Sequence, residues 1–355
     1  MHIKVIPRDH SGLSALNGQD LGFGDFFSDH MLVREWSGDA WQDARIVARG
    51  PLEVEPSALG IHYGQSVFEG LKAYRGTHDD VIRLFRPDQN AARLEASCLR
   101  LCIPAVQTDE FIECIRKLVL VDGAWVPKHR GHALYIRPLV FATEGHLAVR
   151  PSRRYQFVIT TAPVAPYFSA SSRPLRLKAE ARFTRAAMGG TGSAKTSGNY
   201  APTLRPMVAA AEEGFDQILW LDARDHAFAE EAGQMNIFFR IGDEVVTPEL
   251  SGTILPGVTR NSVLTLLDAW GITTTTRRVS MSELAQASQS GDLLEIFGAG
   301  TAAVVAPVAS IRHLDEEISA PPAEGASLAE RLRETLLGIQ HGEIEDPYNW
   351  VCTVS

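Results

Sequence analysis

Lys195 stands in the run Gly189-Gly190-Thr191-Gly192-Ser193-Ala194-Lys195-Thr196-Ser197-Gly198-Asn199-Tyr200, with almost no side-chain bulk on either flank and a phenol five residues on. Small neighbours leave room for a flat cofactor. An amine that forms a Schiff base must be reachable by an aldehyde and partly desolvated, because burial lowers its pKa and the neutral form is the nucleophile. The bland alternative is a solvated lysine in a glycine-rich loop. Three other segments offer what an aldehyde cofactor with a phosphate and a ring nitrogen would need. Leu255-Pro256-Gly257-Val258-Thr259-Arg260 leads into a predicted helix whose first N–H groups point outward as an anion site, and Thr259 adds a hydroxyl. Gly298-Ala299-Gly300-Thr301-Ala302 is a second anion-friendly turn if its glycines take the unusual dihedrals that let N–H groups converge. Glu230-Glu231, just before an apolar strand, supplies a carboxylate for a protonated ring nitrogen. Taken alone, that pair reads as an acidic loop facing water.

The elements that must carry these residues alternate strand and helix. Gly70 to Tyr74 and Val81 to Phe85 are predicted strands around a turn, and Pro87 starts a helix to about Leu101. Thr108 and Asp109 offer a cap to a second helix whose apolar face is Phe111, Ile112, Ile115, Leu118 and Val119. Ala133 to Ala142 and Tyr155 to Pro163 are apolar and β-branched enough to be strands. The proline-bounded segment from Ala165 to Pro174 is the best linker, so the expected domains are 1–164 and 175–355, joined by a loop over 165–174. Beyond it come strands near Leu175 to Phe183, Gln217 to Leu221, Asn236 to Ile241 and Glu244 to Thr247. A helix from Val258 to Trp270, a Thr-rich strand and a helix from Ser282 to Ser288 follow. Leu293 to Val308 is strand-like, and Ser327 to Gly342 is an amphipathic terminal helix.

Composition narrows the partners. A length of 355 residues suits two domains, and 34 Lys and Arg against 43 Asp and Glu leave a formal charge of -9, with no general attraction to nucleic acid or an anionic membrane face. No run reaches the roughly 18 apolar residues of a spanning helix, and the first 20 residues contain no apolar core of a signal peptide, so a cytoplasmic protein is expected. Four cysteines are too few for a disulfide framework. Cys98 and Cys102 follow helical spacing and read as two buried thiols on one apolar face, in preference to a metal or redox pair. No histidine cluster supports a metal site.

In their order along the chain, the Lys195 run, Glu231-Ala232-Gly233-Gln234-Met235-Asn236, Ile254 to Arg260 and Phe297 to Ala302 resemble branched-chain amino acid aminotransferases, which are fold-type IV pyridoxal 5'-phosphate enzymes. Phe23 to Trp36, His62 to Lys72, Leu84-Phe85-Arg86-Pro87 and Leu134-Tyr135-Ile136-Arg137-Pro138 extend the likeness over about residues 20 to 350. The resemblance implies an α/β (α+β) fold of two mixed domains with the active site at the domain interface. It implies that Lys195 is the Schiff-base lysine, Tyr200 the phenol at the cofactor's ring oxygen and Glu231 the pyridinium partner. Arg93, Val258, Thr259 and Thr301 would bind phosphate; from its own context Arg93 reads only as a surface charge on a helix. Phe27, Tyr63, Phe68, Tyr135 and Arg137 would line the substrate pocket, Thr301 and Ala302 would take the α-carboxylate, and Tyr167 would close over it. Leu147 and Val149 match a loop that reaches the neighbouring active site, which implies a homodimer.

The implied reaction moves the amino group of leucine, isoleucine or valine to 2-oxoglutarate, with Lys195 also carrying the proton. Rival readings keep the fold but change the substrate to an unusual β-branched or aromatic amino acid, or keep the cofactor in a non-catalytic regulator. Two departures are visible: Ala303 and Ala306 stand where a relative has a redox-sensitive cysteine pair, and Gln234 is larger than usual, with an amide that would alter hydrogen bonding near the cofactor.

Overall fold

The computed structural model describes residues 1–16, 19–167, 173–321 and 325–354, so residues 168–172 of the expected linker lie outside the described residues. The chain divides into two compact units. One comprises Met1–Ser169, Ala194–Ser197 and Leu337–Ser355, the other Ala170–Ser193 and Gly198–Leu336. The tetrapeptide with Lys195 and the C-terminal tail thus group with the first unit, where the sequence reading assigned both to the second domain.

The first unit opens with β1 (Ile3–Val5), β2 (His30–Ser37), β3 (Ala40–Trp41), β4 (Ala44–Ala48), a short α1 (Leu59–His62), β5 (Ser66–Phe68), β6 (Leu71–Arg75) and β7 (Ile82–Phe85). Helices α2 (Pro87–Arg100) and α3 (Thr108–Val121) and the long strands β8 (Ala133–Ala142) and β9 (Tyr155–Val164) follow. Alternation in β8 sends Leu134, Ile136, Val140 and Ala142 into the core shared with α2 and α3. Tyr135 and Arg137 take the other face. In α2 the buried stripe Asn90, Ala91, Arg93, Leu94, Ser97 and Cys98 recurs at helical spacing, so Arg93 points inward and is no surface charge. Cys102 departs from expectation: α2 ends at Arg100, and Cys102 is exposed at a left-handed φ of 55° while Cys98 is buried. The α3 cap also differs, since Gln107 precedes the first turn and makes no side-chain capping bond.

The second unit is built on β10 (Leu175–Glu180), α4 (Leu204–Glu212), β11 (Gln217–Leu221), β12 (Ala229–Ala232), β13 (Met235–Ile241), β14 (Glu244–Thr247) and α5 (Val258–Ala269). It continues through β15 (Thr273–Thr276), α6 (Met281–Ser290), β16 (Leu293–Gly300), β17 (Val304–His313), β18 (Glu316–Ser319) and α7 (Leu328–Gln340), whose last residues from Leu337 on group with the first unit. Its sheet runs β12-β11-β10-β17-β16-β13-β14-β15, parallel only where β10 meets β11 and β17 and where β14 meets β15. Phe238 and Phe297 stack between neighbouring strands at 5.1 Å. The final strand, β19 (Val351–Val354), pairs with β7, which is why the tail belongs to the first unit. That unit's sheet is ordered β1-β4-β2-β9-β8-β6-β7-β19, antiparallel except for β1 with β4.

Glu230 and Glu231 lie in β12 and are buried, so they form no acidic loop. Gly298 and Gly300 likewise do not take unusual dihedrals: both lie in β16, and a Cβ on Gly298 would stand 2.8 Å from the Met235 methyl. Glycine there makes room for a side chain on β13. Among the described residues no helix is long and apolar enough to cross a membrane, and no cluster of His, Cys, Asp and Glu could hold a metal ion.

Candidate active site

Lys195 is held by its backbone. Its carbonyl accepts the Phe68 N–H at 3.0 Å, its N–H donates to Ser97 Oγ at 2.9 Å, and Thr196 bridges to Val67. The tetrapeptide is therefore laid along β5, with Ser97 on α2 behind it. The amine lies 4.8 Å from the Phe68 ring centroid. Burial, with Arg93 adding to it and Glu69 opposing, brings the Lys195 ammonium down to about 8. Burial alone also brings the neighbouring-strand Lys72 to about 8.

Beneath this amine is a buried ion pair. Glu69, with no exposed surface, accepts Arg93 Nε at 2.6 Å and Nη2 at 2.9 Å, Asn90 Nδ2 at 2.7 Å and the Gly70 N–H at 3.0 Å. Burial would push this carboxyl up, but the Arg93 charge and hydrogen bonds outweigh it and hold the group below its ordinary value. Ser97 Oγ donates to the Arg93 carbonyl at 2.8 Å, linking the arginine's helix to the lysine's backbone.

Above the sheet, Arg137 Nη2 donates to the Tyr135 hydroxyl at 3.0 Å, and its guanidinium stands 4.9 Å from the Phe68 ring. Arg137 Nε is buried with no hydrogen-bond partner among the described residues. Phe23 packs edge-on against both Tyr135 and Tyr167, at 4.9 and 5.2 Å. Gly70 is required here, since a Cβ would fall 2.0 Å from the Tyr135 hydroxyl oxygen. Tyr63 does not join this group: its hydroxyl donates to the Leu147 carbonyl at 2.5 Å, beside the exposed Leu147 and Val149. Phe27 is exposed under the Arg49 guanidinium at 4.1 Å.

The second unit carries Glu231 and the start of α5. Glu231 Oε1 accepts the Leu255 N–H at 2.9 Å and Asn236 Nδ2 at 3.4 Å, while Oε2 meets Arg185 Nη2 at 2.7 Å. That guanidinium is a direct ionic partner for the carboxylate. Helix α5 starts at Val258 behind Gly257, which gives no side-chain cap; Val258 and Thr259 are nevertheless buried. A helix start without a side-chain cap directs its first N–H groups and the positive end of its dipole outward. Gly192, upstream of Lys195, lets the chain pass the Thr253 backbone, whose oxygen would lie 2.4 Å from a Cβ. Thr191 and Asn199 clamp the loop through bonds of 2.6 and 2.7 Å. Tyr200 is half-buried at a 3-10 turn, and Thr301 and Ala302 are half-buried in the turn from β16 to β17. Gln234 is exposed at the turn between β12 and β13, with its side chain on the surface.

Glu230, on the opposite face of β12 from Glu231, is pushed up to about 7, chiefly by burial, with Glu231 and Asp222 adding to the rise and Thr253 and Arg185 opposing it. With an ordinary value of 4.5, it binds its proton more tightly in the folded chain; stability therefore falls between pH 4.5 and 7, and the loss is complete above 7. Glu230→Gln is expected to stabilise the protein by roughly 2–3 kcal/mol more at pH 8 than at pH 4. Denaturant unfolding at the two pH values checks this, and equal effects would contradict it.

Sequence reasoning missed Glu69, Asn90, Ser97, Phe23 and Arg185. Glu69 had a faint signal as the lone acid in Ser66 to Leu71, and Phe23 as the residue between Gly22 and Gly24, whose φ angles are 52° and 89°. Arg185, ten residues before the lysine, had none.

The model of the amino-transferase class IV family matches residues 66–311, a span that holds Lys195, Arg93 and Glu231. The chain belongs to that family. It is 45% identical to branched-chain-amino-acid aminotransferase 2 of Bacillus subtilis (strain 168) over 336 residues, covering 94% of this chain and 92% of that relative. A branched-chain-amino-acid aminotransferase of Mycolicibacterium smegmatis is 41% identical, with coverage of 94% and 92%. The crystal structure of the Escherichia coli branched-chain amino acid aminotransferase superposes with a TM-score of 0.75 at 25% identity, covering 91% of this chain and 99% of that one. The holo-form of the branched-chain amino acid aminotransferase from Thermobaculum terrenum shares the fold, with a TM-score of 0.72 at 22% identity and coverage of 91% and 98%. The class IV aminotransferase fold thus accounts for both sheets described above.

Proposed function

We propose that the protein is a branched-chain amino acid aminotransferase that uses pyridoxal 5'-phosphate to move an amino group reversibly between L-leucine, L-isoleucine or L-valine and 2-oxoglutarate, in two half-reactions. The observation that carries this is the Lys195 amine, brought to about 8 beside Phe68, Arg93 and Arg137 in a chain of this family. The residues fit the cofactor: an amine, a buried arginine, a helix start without a side-chain cap and a buried carboxylate are the four groups that its aldehyde, phosphate and ring nitrogen require. When bound, the cofactor supplies the aldehyde and a ring that withdraws electrons from the substrate's α-carbon.

The chain's own residues do the rest. Arg93, the N–H groups of Val258 and Thr259, and Thr301 would hold the phosphate, Glu231 would face the ring nitrogen and Tyr200 the ring oxygen. Lys195, once its amine is free, takes the α-proton and returns it, which a group near pH 8 does in either direction. Thr301 and Ala302 receive the α-carboxylate. Phe68, Tyr135 and Arg137, with Phe27, Tyr167 and the newly recognised Phe23, receive the side chain; the aromatic faces suit an aliphatic group, and Arg137 suits the distal carboxylate of 2-oxoglutarate. Tyr63, Leu147 and Val149 form an exposed apolar patch that fits a homodimer in which each chain completes its partner's pocket. The reading includes a cytoplasmic location, in keeping with four free thiols.

Steady-state rates with leucine, isoleucine, valine, phenylalanine and D-alanine against 2-oxoglutarate test the assignment. Turnover of the three branched-chain acids is expected, and its absence would overturn it. Gly70→Ala gives a finer check. The new methyl displaces the Tyr135 hydroxyl from Arg137, so KM for 2-oxoglutarate is expected to rise roughly 10-fold while KM for leucine changes about 2-fold. Equal changes in both would remove Arg137 from the distal carboxylate.

A further inference from the structure

Glu230 has an environment that the proposed reaction does not use. It lines a cavity of about 340 Å³ in the second unit, with Met188, Phe228, Pro248 and Ile254 as apolar wall and Arg278 at its side. Its Oε1 accepts the Thr253 hydroxyl at 2.5 Å, while Oε2 is buried with no hydrogen-bond partner among the described residues. An orphaned carboxyl oxygen is costly, and the terminal torsion of a glutamate is soft enough to turn that oxygen toward a donor in the cavity. Arg278 lies 3.5 Å over the Phe228 ring and 3.6 Å from Asp222. Asp222 also accepts the N–H groups of Asp225, Ala227 and Phe228, and its separation from Arg278 is longer than a direct hydrogen bond. The cavity has room for about ten waters.

We propose that this cavity is a second binding site, separate from Lys195, for an aliphatic α-amino acid: Glu230 receives the ammonium, Arg278 the carboxylate, and the wall of Met188, Phe228 and Ile254 the side chain. The site also has a route to the chemistry. Thr253, which donates to Glu230, accepts Arg185 through its carbonyl, and Arg185 pairs with Glu231. Occupancy is therefore felt at the residue read as the ring partner, a coupling that rests on that reading; the binding itself does not.

The test is calorimetric titration of L-leucine into holoenzyme reduced with borohydride, which fixes the cofactor on Lys195 and blocks exchange with incoming amines. Binding of one leucine per chain is expected, weakened at least 10-fold by Glu230→Gln and by Arg278→Ala, with leucine transamination at low substrate within about 2-fold of wild type in Arg278→Ala. A crystal grown with L-leucine is expected to show it against Glu230 and Arg278. 3-Methylbutanoate, which lacks the ammonium, is expected to bind at least 10-fold more weakly than leucine. No binding, binding untouched by both substitutions, equal binding of 3-methylbutanoate, or only water in the cavity would overturn the proposal. Loss of transamination with leucine still bound there would instead sink the catalytic reading and leave this one standing.

Discussion

Lys195→Ala is expected to lower transamination of leucine by at least about 10⁴-fold and to remove the visible absorption of lysine-bound cofactor, while the fold survives. The reasons lie in one small region. An ordinary lysine with a pKa of 10.5 is about 0.3% neutral at pH 8, whereas Lys195, lowered to about 8, is about half neutral. The gain in nucleophile is more than a hundredfold, and alanine forfeits the amine altogether. Because the backbone of Lys195 is tied to Phe68 and Ser97 through main-chain groups, alanine keeps those bonds. Circular dichroism and thermal melting should therefore match wild type. In cofactor-free protein, labelling of Lys195 by an amine-selective reagent should rise with a midpoint near pH 8. Full multiple-turnover activity in Lys195→Ala would end the catalytic assignment.

Arg93→Met is expected to be the most destabilising single change at the site, by roughly 3–5 kcal/mol, because it leaves the Glu69 carboxylate in the core without its hydrogen-bonded guanidinium. Adding Glu69→Gln should restore much of that loss, since a neutral amide costs less to bury than an unpaired charge. Both the single and double variants are expected to bind pyridoxal 5'-phosphate at least 10-fold more weakly, because neither has the arginine. Denaturant titration and cofactor titration separate the two effects. Stability equal to wild type in Arg93→Met would refute the importance of the pair, and unchanged cofactor affinity in the double variant would remove Arg93 from the phosphate. The pH dependence has a definite sign. The Glu69 pKa is depressed on folding, so its contribution is present above its ordinary value of 4.5 and is lost as pH falls through the lower folded value.

Much of this site was legible before any fold was known, and for identifiable reasons. Lys195, Glu231 and the Val258–Thr259 helix start lie in short runs whose residue types announce a chemical need: a bare amine, a carboxylate, unsatisfied N–H groups. Elements with strong periodicity were legible too, including α2 behind Pro87 and the alternation of β8. Other elements were not: β1, β3, β5, β12 and α1 have four residues or fewer and no flanking turn signal strong enough to mark them, and β2, β4 and α4 were not read from the sequence although they are longer. The glycines misled in one place, since Gly298 serves Met235 from an adjacent strand, a contact that sequence spacing does not reveal.

By itself, the sequence determined the family and singled out Lys195, Glu231 and the Val258–Thr259 segment as candidates in their order along the chain, because those depend on residue type and local spacing. Only the tertiary structure decided what each charge answers to. Glu69 lies 24 positions from Arg93, and Arg185 lies 46 from Glu231, yet each pair meets within 3 Å. A buried ion pair is set by which faces of strand and helix pack together, and that packing alone turned Arg93 from a surface charge into a buried guanidinium and Lys195 from a loop lysine into an amine near pH 8.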